Sequence, residues 1–124
     1  MKISKQDLNP QIKKQVYEIF YQVLSDCKNK NEVGEILESL MSQVEILAIA
    51  KRLAIAIFLD KGHSYEHIKK TLKVSSASIA SVAENLNQKG LVKAVEKVKA
   101  DEWAEDWSNK ISKTLGRLIK RELK

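Results

Sequence analysis

SYEHIKKTLKVSSASIASVAENLN, residues 64–87, holds two short helical patterns joined by a tight connection. In the first, Tyr65, Ile68 and Leu72 recur at i, i+3 and i+7 and share one face. In the second, Ile79, Val82 and Leu86 repeat that spacing. Between them Val74 can plug the gap, and Ser75 or Ser76 can cap the second helix. A connection this short makes the helices cross steeply, so the outer face of the second projects from the body. The pattern is that of a helix-turn-helix, whose second helix can enter a DNA major groove with its N-terminal residues nearest the base edges. An ordinary pair of packed helices satisfies the same local spacing.

Outward from this stretch, the chain of 124 residues suits a compact domain long enough to bury a core without disulfides or metal. One proline and four glycines leave long helices few breakers. No run alternates β-branched and polar residues between turn signals, so the expected fold class is all-α. No stretch of about 18 apolar residues is present to span a membrane, and no apolar run follows the lysines of MKISKQDLNP to make a secretory signal. Cys27 is the only cysteine, expected as a small core residue in a cytoplasmic protein. The formal charge of +6 and the pI near 9.4 favour polyanionic partners, nucleic acid first. They also suit simple solubility.

In chain order, Asn9 before Pro10 marks a helix start. Ile12, Val16, Ile19, Phe20, Val23, Leu24 and Cys27 follow as an apolar stripe, widened by Tyr17 and Tyr21. A stripe that wide often meets two partners, one of which can be a second subunit. Asn31 is the expected cap of a short helix carrying Val33, Ile36, Leu37 and Leu40. Ser42 and Glu45 then form a capping box ahead of VEILAIAKRLAIAIFLDKG, an apolar central helix expected to be buried and to stop at Gly62. Gly90 is expected to close the helix-turn-helix, giving domains at 1–90 and 91–124. The second is an amphipathic tail with new capping at Asp101 and an apolar line through Trp103, Trp107, Ile111, Leu115, Leu118 and Ile119. From residue 109 it carries Lys110, Lys113, Arg117, Lys120, Arg121 and Lys124 against Glu122 alone.

A long helix, a short helix, then LMSQVEILAIAKRLAIAIFLDKG followed at once by SYEHIKKTLKVSSASIASVAENL resembles the tryptophan repressor family. The resemblance runs from about Val16 to Asn87 and is nearest to members of unassigned ligand. The local helix-turn-helix also looks like the promoter-reading end of sigma factors. Family membership implies a multi-helical tryptophan-repressor-like fold, with a long C-terminal helical extension in this chain. It also implies an intertwined homodimer, presenting two recognition helices to a palindromic double-stranded DNA site. The family's ligand site implies Ser42 and Arg52 as candidate pocket residues. Its second indole-stacking arginine falls on Ser81, and the glycine that leaves room for the ligand becomes Val82. Tryptophan is therefore not expected as co-repressor, and no cofactor is expected.

The candidate DNA-contacting residues are His67, Lys69, Lys70 and Lys73 on and after the first helix, with His67 expected on the same exposed side as the lysines. With them go Ser75, Ser76, Ala77, Ser78, Ala80 and Ser81 at the start of the second. That second helix has no basic residue before Lys89, so backbone-weighted binding with modest base specificity is expected. A protein-interaction module that keeps the fold but no longer reads DNA is the alternative. The tail has three uses open to it: packing on the core or extending a dimer, lying along DNA, or lying on a membrane surface. Glu102, Glu105 and Asp106 beside the tryptophans speak against the last, and no membrane partner is expected. Nothing pairs a nucleophile with a base, and His63 and His67 lack a third metal ligand in sequence, so no enzyme is expected.

Overall fold

The computed structural model describes residues 3, 5–100 and 103–123, the side chains of 103–108 and 123 excepted. Among the described residues there are seven helices and no strand: α1 (Pro10–Ser25), α2 (Lys30–Leu40), α3 (Gln43–Asp60), α4 (Tyr65–Leu72), α5 (Ser76–Glu84), α6 (Lys89–Ala100) and α7 (Trp103–Leu123). The chain divides into two compact units, Met1–Gln43 and Val44–Lys124. Residues 91–124, expected as a C-terminal helical extension, belong to the second of these units.

In the first unit, the Asn9 side chain accepts from the backbone N–H of Gln11 at 2.9 Å and Ile12 at 3.3 Å, with Pro10 at the first helical position. The second cap is Asn29 rather than Asn31: its Oδ1 accepts from Glu32 N at 2.9 Å. Starting two residues earlier lets Glu32 reach back to the Lys28 N–H at 3.3 Å, an added bond that a start at Asn31 would lose. Cys27 lies in the turn after α1, half-buried, rather than on the helical face. α1 buries none of its residues. Its apolar stripe stands open, with Ile19 65% exposed and Val16 53%, and Tyr17 stacks on Tyr21 at 6.0 Å.

In the second unit, α3 is buried only over its C-terminal half. Ala54 to Phe58 form its buried run, while Val44, Leu47 and Ile49 remain exposed. The helix expected to be buried is thus buried over its second half only. Ile55, Phe58, Ile68, Ile79, Val82 and Val95 make the core, joined by Leu72, Val74, Leu86, Leu91 and Ile111. Each fully buried Phe or Ile in that set contributes on the order of 1.5–3 kcal/mol. Tyr65, expected on the buried face of the first helix, is 44% exposed.

α3 stops as expected. Gly62 has φ +83, its N–H donates to Leu59 O at 3.0 Å, and the His63 N–H donates to Phe58 O at 3.1 Å. Those two bonds are the Schellman pattern. The Phe58 and His63 rings meet edge-on at 5.0 Å over it. Gly90, by contrast, lies inside α6, and α5 closes earlier at Asn85. The Asn85 side chain donates to Ser81 O at 2.8 Å, ending the helix without a glycine. α6 is held to the end of α3 by Lys99 and Asp60, 3.1 Å apart. The capping expected at Asp101 lies outside the described residues, as do Lys124 and the side chains of Trp103 and Trp107.

Candidate nucleic-acid interface

The turn between α4 and α5 sets how the second helix is presented. Ser64 caps α4 through the His67 N–H at 3.1 Å. Lys73 closes it in the left-handed region, φ 53 and ψ 55, its N–H donating to Lys69 O. A non-glycine residue there costs about 1–2 kcal/mol. From the neighbouring helix, Lys51 Nζ donates to Lys73 O at 3.2 Å. Val74 then tucks against the core, and Ser75 caps α5. Ser75 Oγ accepts from Ser78 N at 3.1 Å and donates to Ser78 Oγ at 3.0 Å. Ile79 and Val82 anchor the inner face of α5. Its outer face, Ser76, Ala77, Ser78 and Ser81, is exposed, while Ala80 is half-buried at the edge of that face.

Lys70 and Lys73 are exposed and Lys69 is half-buried. His67, expected on the exposed side with them, is engaged by α7 instead. Its ring is half-buried, with Nε2 hydrogen-bonded to Ser112 Oγ of α7 at 3.1 Å. It stacks on His63 at 4.8 Å and meets Phe58 edge-on at 6.1 Å. The Ser112 bond puts His67 on the side of α4 on which α7 packs. Burial, the neighbouring His67 and Lys61 together hold the His63 pKa below its ordinary value of 6.5. Among the described residues no group of three or more His, Cys, Asp or Glu is placed to hold a metal ion.

Of the two candidate pocket residues, Arg52 is exposed and lines an open cleft of about 810 Å³ beside α5, together with Ser81 and Val82. Ser42 belongs to the first compact unit. Val82 is 7% exposed and packs into the core, so its side chain fills space along the cleft floor. Ser81 presents only a hydroxyl at the rim. Lys51, which donates to Lys73 O in the turn, was not singled out in the sequence. Its signal was a charge inside an otherwise apolar helix, one position before Arg52.

The model for the Trp repressor protein family matches residues 15–98, from α1 through most of α6. The chain belongs to the Trp repressor family. Comparison with curated proteins and with solved structures gave no match. The family is an all-α helix-turn-helix family of DNA-binding transcription regulators. In this Trp repressor family member, α4 and α5 are the helix-turn-helix, and α7 lies beyond the matched region. No helix among the described residues is long and apolar enough to cross a membrane.

Proposed function

We propose that this chain is a cytoplasmic transcriptional repressor that binds double-stranded DNA as a homodimer through α4 and α5. The observation that carries the reading is the exposed outer face of α5, Ser76, Ala77, Ser78 and Ser81, fixed on an anchored helix just after the exposed Lys70 and Lys73. Small hydroxyls donate to phosphates or base edges, and alanine meets a thymine methyl. The lysines neutralise phosphates, so the grip is weighted to the backbone. Lys69 joins them with part of its side chain. His67, engaged with Ser112 and His63, is left out.

Dimerisation is supported by the open apolar surfaces of α1 and of the first turns of α3. Exposed apolar area of this kind is what association covers. A two-fold dimer sets its recognition helices about 34 Å apart, so the operator is palindromic. Tryptophan is not the effector, because Ser81 cannot stack on an indole and Val82 occupies core space beside the cleft.

Selection from a randomised duplex pool tests the proposal. Enrichment of a palindrome with half-sites about 10 base pairs apart supports it. The absence of any basic residue on α5 favours a second reading, a protein-interaction module that keeps the fold. An unenriched pool, with protein that is folded and dimeric, would favour that module.

A further inference from the structure

α7 lies beyond the residues that the family model matches, and it is docked on the second unit. It packs on α4 and α6. Ile111 joins the core, Ser112 Oγ is bonded to His67 at 3.1 Å, and Leu115 is half-buried. These three residues fix the side of α7 that faces the body. At about 100° per residue, Lys110, Lys113, Arg117, Lys120 and Arg121 fall on the other side, within an arc of about 100°. All five are exposed, and none is ion-paired to a carboxylate among the described residues. The sequence has no Asp or Glu from residue 109 to 121, and Glu122 falls in line with Ile111 and Leu115, off the stripe. Lys110 stands four residues after Asp106, so the unopposed charge begins at Lys113.

Such a stripe has a cost. Lys113 with Arg117, and Arg117 with Arg121, are like charges at i, i+4, which destabilise a helix. The helix dipole favours the cations of the last turn, Lys120 and Arg121. It does not account for Lys113 and Arg117, which lie before that turn. A polyanion relieves the repulsion along the whole line. We infer that the basic stripe of α7 is a second contact surface for the phosphate backbone of duplex DNA, in addition to the helix-turn-helix. The inference rests on the DNA-binding reading and extends it to a helix outside the family's matched region. The stripe runs about 12 Å from Lys113 to Arg121, a length over which a duplex carries about seven phosphates. Each of the four cations thus has an anion to meet. A membrane surface fits less well, because it takes up the apolar face of an amphipathic helix. On α7 that face is spent on the chain's own core through Ile111 and Leu115, and among its described apolar side chains Leu118 and Ile119 alone are exposed.

The test compares the salt dependence of duplex binding for the full chain and three double variants. Lys113→Gln with Arg117→Gln removes two charges from the stripe. Lys113→Arg with Arg117→Lys keeps them. Lys28→Gln with Lys30→Gln removes two exposed charges from the other unit and is the control. Each phosphate contact contributes about 0.9 to the slope of log affinity against log salt. The first variant is expected to reduce the slope by about 1–2, with an equal fold-loss on unrelated duplexes, since backbone contacts carry no base information. The charge-keeping variant retains the slope, and so does the control. Thermal melting of each variant confirms that it is folded. If the parent binds with a steep slope and the first variant alters it no more than the control does, the inference is overturned while the DNA-binding reading stands. If the parent binds no duplex, both fall. A second arm sediments the protein with vesicles of phosphatidylglycerol and phosphatidylcholine, and no binding is expected. Vesicle binding that the first variant abolishes, with the duplex slope unaltered, would assign the stripe to a membrane surface and overturn the inference.

Discussion

Lys51 Nζ donates to the carbonyl oxygen of Lys73 at 3.2 Å, so the central helix holds the helix-turn-helix turn from behind. The bond joins residues far apart in sequence and keeps the left-handed turn from relaxing. Lys51→Met keeps the aliphatic stem and removes only the donor. It should lower stability by about 1 kcal/mol, read as a shift in the urea midpoint with an unchanged m-value.

Lys73 itself occupies a conformation suited to glycine, with φ 53. Relief of that strain competes with the greater entropy of an unfolded glycine. Lys73→Gly should therefore raise stability by a few tenths to about 1 kcal/mol, while removing a charge lowers DNA affinity. Lys73→Val, β-branched at the same φ, should destabilise, because a branched side chain tolerates that region less well than lysine. Thermal melting of the pair separates the backbone effect from the loss of charge, which both share.

Ser64 and Ser75 cap the two helices of the motif through single backbone N–H groups, at 3.1 Å in each case. Alanine at either position should cost about 1 kcal/mol. Hydrogen exchange should place the loss locally, with faster exchange at His67 N in one variant and Ser78 N in the other.

The pH dependence has a defined sign. Burial, His67 and Lys61 lower the folded-state pKa of His63 below 6.5. The unfolded state therefore binds the proton more readily, and stability rises with pH across that window. The contribution is fully present above about pH 6.5 and is lost as the pH falls through the lowered folded value. The melting temperature should rise from pH 5 to pH 7, and His63→Gln should flatten part of the rise. A flat profile in the parent would contradict this.

The exposed stripe of α1 predicts the assembly. Sedimentation at low micromolar concentration should show a species near twice 14.1 kDa. Ile19→Glu, placed where the side chain is 65% exposed in the single chain, should return it to monomer.

Much of this architecture is legible in the residues. Asn9-Pro10, Gly62 and the spacing of Ile68, Leu72, Ile79 and Val82 fix two helix boundaries and the motif's inner faces, because caps and apolar periodicity act locally. Gly90 misled because an asparagine side chain ended α5 first. His67 misled because α7, distant in sequence, packs on the side it faces. The α3 exposure and the Lys51 bond depend on tertiary placement that no local pattern encodes. Within the candidate site, the exposure of the α5 serines and Lys70 could be read in advance, whereas the cleft lined by both Arg52 and Lys73 required the folded chain.

The most direct test is the salt dependence of duplex DNA binding by the full chain. A log–log slope of several units is predicted, about 0.9 for each phosphate contacted. It should shrink when Lys69, Lys70 and Lys73 are changed to alanine. Folded, dimeric protein that binds no duplex at micromolar concentration and low salt would contradict the account.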